Sequence, residues 1–196
     1  MRKAMPDVWT QVALELGKLL EPIGYRRSRL TFTNVTVPAV VRTIKIEKYR
    51  WNVGGDLRFQ LILGIYLATG EVGEFAFKGA QSRYSIVFLQ NAGVLWGDPT
   101  QLWQVPTALT QDAFDPIRAD VETRILPFLE RCDSVDAVIR ALDEAEAQVG
   151  WRPYSAPLAI ALARLGRVDE ARELFRRAPG DPEMVRTIAA QSGIEL

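Results

Sequence analysis

Between residues 57 and 67 the chain reads LRFQLILGIYL, and every odd position is a large apolar side chain. Leu57, Phe59, Leu61, Leu63, Ile65 and Leu67 share a surface only if the backbone is extended, because successive side chains of a strand point to opposite faces. A helix would scatter them around its circumference. The even positions carry Arg58, Gln60, Ile62 and Tyr66, a mixture suited to a face that is partly packed and partly wet. One strand with one wholly apolar face demands a cover on that side.

The flanking stretches extend the pattern. LTFTNVTV (30–37), AVVRTIKIEK (39–48), EFAFK (74–78) and YSIVFLQ (84–90) are short, rich in β-branched and aromatic residues, and punctuated by Gly, Pro, Asn or Asp. They predict a twisted antiparallel sheet of four to five strands. Ahead of it, Trp9, Val12, Leu16, Leu19 and Ile23 recur at helical spacing, with Pro6 and Asp7 suited to the first turn and Gly24 to the end. Gly17 within that helix implies close approach of another element. The stretch WGDPTQLWQVP reads as a loop or short edge strand, its Trp96 and Trp103 pinning the loop. Next, Phe114, Ile117, Val121, Ile125 and Phe128 form a helical stripe, with Asp112 as a candidate cap. A further helix follows CDS, capped by Ser134 or Asp133, with Val135, Val138, Ile139 and Leu142 inward and Gly150 closing it.

The fold class is therefore α+β, with an amino-terminal helix packed on the sheet and a helical region after it. We divide the chain into a sheet domain, 1–130, and a helical extension, 131–196, packed on the same core. Within the extension, PLAIALARLGRVDEARELFRRAP resembles a single tetratricopeptide hairpin at about 157–178: Leu158, Leu162 and Leu165 line one helix, Gly166 breaks it, and Ala171, Phe175 and Ala178 mark the second. Stacked repeats need about three units to bury a continuous core. No second copy is found, so the hairpin is expected to be a lid rather than a scaffold.

Five stretches, LLEPIGYRRSRLTF (19–32), IKIEKYRW (44–51), LILGIYL (61–67), LWQV (102–105) and ILPFLERCDSVDAVI (125–139), together resemble a bacterial domain-of-unknown-function family, number 4304 in its series. The resemblance covers about residues 6–145. It implies the order helix, strands, helix; it implies no established reaction and transfers no catalytic residue. The family favours Gln before the lysine of the second strand, where Glu47 precedes Lys48 here.

Composition narrows the chemistry. The chain has no histidine, which removes Ser-His-Asp and Cys-His machinery and most catalytic zinc sites. The single cysteine, Cys132, has no base beside it in sequence and reads as buried filler; it suits a reducing, cytoplasmic setting. No leader segment or bilayer-length apolar run is evident, so no membrane role is expected. Glu71 and Glu74 flank glycines in a predicted hairpin loop and read as a polar turn, and no calcium-type loop is present. We expect no catalytic residues, no metal and no cofactor.

Charge is uneven. Residues 1–55 hold ten Lys or Arg against four acids, and residues 106–196 hold eleven against sixteen. Arg26, Arg27 and Arg29 follow the first helix, while Lys45, Lys48 and Arg50 lie on or past the second strand beside Tyr49 and Trp51. Arg42 shares the apolar parity of Ile44 and Ile46 and is expected to emerge with Lys48 and Arg50 beyond the core. These residues are the candidate ligand- or partner-binding set. They also fit a solvated basic edge that discourages sheet-to-sheet aggregation, or one facing the acidic helices. The sequence thus reads as a non-enzymatic binding protein with an unknown protein partner. The alternatives are nucleic-acid or phospholigand binding through the basic edge, and a small histidine-free enzyme. Trp51, Trp96, Trp103 and Trp151 could line a cavity, though large aromatics more often serve as core contacts.

Overall fold

The computed structural model describes residues 7–37, 39–52, 55–68, 84–149, 155–177, 181–191 and 193–196. The expected strand at 74–78, Pro6, Glu71, Glu74, Gly150, Trp151 and Ala178 lie outside these residues. Helix α1 (Val8–Leu20) is capped by Asp7, whose Oδ1 accepts the Trp9 and Thr10 N–H groups. A 3₁₀ turn (Glu21–Ile23) follows, and Gly24 at φ 92° turns the chain into the sheet.

Among the described residues six strands form one antiparallel sheet: β1 (Arg26–Ser28), β2 (Thr31–Val37), β3 (Val40–Lys48), β4 (Asp56–Ala68), β5 (Tyr84–Asn91) and β6 (Trp103–Pro106). The order is β1-β2-β3-β4-β5, and β6 pairs with the first residues of β4. Two strands thus exceed or refine the expectation. The basic stretch after α1, given no element by its spacing, supplies β1, and WQVP, read as a loop or short edge strand, is β6.

The helices are α2 (Gln111–Asp120), α3 (Leu126–Arg131), α4 (Val135–Val149), α5 (Ser155–Arg164), α6 (Val168–Arg177) and α7 (Pro182–Gln191). A π turn, Val121–Ile125, joins α2 to α3 without interrupting the buried stripe Phe114, Ile117, Val121, Ile125 and Phe128. Thr110, rather than Asp112, caps α2. Ser134 Oγ accepts the Ala137 N–H at the start of α4.

The odd positions of β4 behave as their spacing requires. Phe59, Leu61, Leu63, Ile65 and Leu67 are all fully buried, worth roughly 2 kcal/mol each in gross burial energy. Their face meets α1, where Trp9 stands edge-on to Phe59 at 6.1 Å, and α3, where Phe128 lies 5.5 Å from Phe88. Gly17 is buried on α1, and a side chain added there would touch Phe32. The apolar core runs on through Cys132, Leu142, Leu158 and Phe175 to Ile194, and α5 lies against β5.

Three expectations need correction. Ile23 is 42% exposed, because the 3₁₀ turn ends the helical stripe at Leu20. Leu165 is also exposed, since it sits at the α5–α6 turn where Gly166 adopts φ 79°. Arg42 does not emerge at the end of β3. It is buried among the core residues, where its guanidinium donates to the Leu129 carbonyl (3.1 Å), Asn34 Oδ1 (3.1 Å) and Thr36 Oγ1 (3.2 Å). A charge on the apolar parity was kept inside by acceptors brought from the α3 end and β2. Among the described residues its Nε has no hydrogen-bond partner.

Candidate functional site

The candidate residues fall in three places. Register puts Arg26 opposite Thr33, and Thr33 opposite Thr43, so Arg26 and Lys45 belong to the outer face of the sheet. Lys45 is half exposed and paired with Glu47 at 2.8 Å. The turn after β3 carries Tyr49, Arg50 and Trp51. There the Arg50 guanidinium stacks 4.8 Å over the Trp51 ring, which is itself 64% exposed. Arg27, Arg29 and Lys48 come together instead at a hollow of about 490 Å³ beside the start of α1, with Asp7, Trp9 and Thr10. The basic residues therefore form no single track.

A larger feature lies on the outer face. Pairing places Thr31 beside Lys45, Lys45 beside Ile62, and Ile62 beside Asn91; in the next row Thr43 meets Gly64 and Gly64 meets Leu89. These rows floor a groove of about 660 Å³, rimmed by Pro99 from the loop before β6. Its polar groups are mostly uncharged hydroxyls and amides, from Thr31, Thr43, Gln60 and Asn91, set among Ile62, Leu89 and Tyr66. Gly64 shapes the floor: a Cβ there would collide with the Thr43 hydroxyl and the Tyr66 ring. Thr43 and Tyr66 are buried, and burial raises the Tyr66 phenol above its ordinary range, so it holds its proton and serves as a hydrogen-bonding group.

The loop between β5 and β6 is fixed firmly enough to act as a rim. Asn91 Oδ1 accepts the Gly93 N–H (2.9 Å) and its Nδ2 donates to the Gln101 carbonyl (2.9 Å). Trp96 and Trp103 meet edge to face at 6.2 Å, Trp103 donates to Asp120, and Arg124 stacks over Trp96. These two tryptophans thus anchor the loop to α2 and the π turn.

Sequence reasoning passed over most of this groove. The mixed even positions of β4 gave the signal, but Leu89, Asn91 and Pro99 join them only through strand pairing and loop closure.

Elsewhere the chemistry is quiet. Cys132 is fully buried, and burial pushes its thiol up to about 12. Among the described residues no group of three or more His, Cys, Asp or Glu side chains is placed to hold a metal ion, and no helix is long and apolar enough to cross a membrane. No protein-family model, curated protein or solved structure matches the chain.

Proposed function

We propose that this is a non-catalytic binding protein whose outer sheet groove receives a segment of a polypeptide partner. The observation that carries the reading is the lining of the groove. Uncharged amides and hydroxyls beside Ile62, Leu89 and Tyr66 can pair with peptide N–H and C=O groups while packing against intervening apolar side chains. Among the described residues its charged lining is Lys45 paired with half-exposed Glu47 at 2.8 Å, which leaves the groove close to neutral. The lone buried thiol supports a reducing, cytoplasmic setting. Membership of family 4304 is proposed on the five motifs alone.

The test is site-specific photo-cross-linking in the native host. A cross-linker at Gln60, in the groove, is expected to trap one partner; the same group at exposed Glu122 on the π turn is expected not to. The trapped protein, purified, should then bind stoichiometrically in a titration. Equal capture from both positions, or no saturable binding afterwards, overturns the proposal.

A further inference from the structure

The hollow beside α1 points to a second ligand, independent of the groove. Three cations reach it from separate pieces of chain: Arg27 from β1, Arg29 from the β1–β2 turn and Lys48 from the end of β3. One carboxylate, Asp7, shares the lining, but its oxygens are already engaged. Oδ1 accepts the Trp9 and Thr10 N–H groups at 3.0 and 3.2 Å, and Oδ2 accepts the Thr10 hydroxyl at 2.8 Å. That hydroxyl bond is the main cause holding the Asp7 carboxyl below its ordinary range. Glu21 stands at 3.9 Å from Arg27, half exposed. Lys48 lies 5.4 Å over the Trp9 ring. Positive charge therefore exceeds negative in the lining, and the amino-terminal end of α1 adds to it.

Arg29 is the informative member. Ser28 pairs with Thr31, so Arg29 and Leu30 form a two-residue turn. Arg29 occupies its first position at φ 55°, the left-handed region where glycine is favoured. Among the described residues its guanidinium has neither a hydrogen-bond nor an ionic partner. An unfavourable backbone thus presents an uncommitted, fork-shaped donor to a cationic hollow.

We propose that this hollow binds a single phosphate group, carried by a small phosphate monoester. Three cations around one carboxylate suit a dianion, and the forks of Arg27 and Arg29 suit its oxygens. A nucleic-acid strand would need a continuous track, whereas Lys45 and Arg26 lie on the other face and Arg50 is stacked on Trp51.

Isothermal titration with phenyl phosphate, inorganic phosphate and a single-stranded oligonucleotide tests this. Phenyl phosphate is expected to bind at one saturable site. Arg29→Gly should weaken it at least tenfold while unfolding at no lower temperature than the parent, because glycine relieves the turn. Arg27→Gln should weaken it comparably, and Lys45→Gln, across the sheet, should leave it unchanged. Lack of saturation at millimolar ligand, equal loss in Lys45→Gln, undiminished binding by Arg29→Gly, or tighter binding of the oligonucleotide would each overturn the proposal. None of these results bears on the groove, whose cross-link is read separately.

Discussion

The two faces of β4 are built from the same thirteen residues and have opposite characters. One face, Phe59 through Leu67 at alternate positions, is sealed beneath α1 and α3. The other, with Gln60, Ile62, Gly64 and Tyr66, floors an open groove. A strand can satisfy two masters in this way because its side-chain period is two, so substitutions on one face leave the other unaltered. The sealed face specifies the fold, and the open face is the one left accessible to solvent.

That contrast is easiest to break where it is steepest. Phe59→Ala should lose about 3–5 kcal/mol in denaturant unfolding, through lost burial and the cavity left against Trp9 and Trp103. Its neighbour Gln60→Ala should change stability by no more than about 0.5 kcal/mol. Next comes Arg42, the exception on the sealed face. Arg42→Ala should cost about 3 kcal/mol because it strands the Asn34, Thr36 and Leu129 acceptors, and Arg42→Lys should restore little, since an ammonium cannot reach all three in the same plane. The groove has its own exception. Gly64→Ala should cost about 2 kcal/mol, by forcing the Thr43 and Tyr66 side chains aside, and should weaken partner binding as well.

One effect is absent at neutral pH and confined to alkaline solution. The Cys132 thiol titrates near 9 when unfolded and near 12 when folded, so the folded state retains the proton more strongly. Its contribution is complete below about pH 9 and is lost as pH rises towards 12, at a limiting slope of about 1.4 kcal/mol per pH unit. Tyr25, also raised by burial, acts in the same direction. Comparing the alkaline unfolding of the parent with Cys132→Ala isolates the thiol's share of the slope.

Much of the sealed face was legible because it is local. The apolar parity of β4, the stripe from Phe114 to Phe128 and the Gly166 break between α5 and α6 all follow from spacing within one element. What escaped depends on distant partners. Arg42 looked like an emergent charge because its acceptor at Leu129 lies 87 residues away in sequence. Ile23 and Leu165 looked buried because their spacing continued a stripe that the 3₁₀ turn and the α5–α6 turn cut short. Alternation already separated Lys45 from Lys48 along β3; what the sequence did not show is that Lys48 joins Arg27 and Arg29 at a hollow beside α1. The open groove was half visible in Gln60 and Ile62, and its other wall was set by the pairing of β5.

The division of labour between the faces is tested most directly by one series along β4, scored for both thermal unfolding and the Gln60-side cross-link. Leu61→Asn and Leu63→Asn should depress the midpoint strongly. Gln60→Lys, which faces Glu47, and Ile62→Thr should unfold close to the parent and lose the partner, with the cross-linker moved to Thr31 on the outer face for these variants. If the groove variants unfold like the core variants, or keep the partner at full yield, the two faces do not divide fold from function.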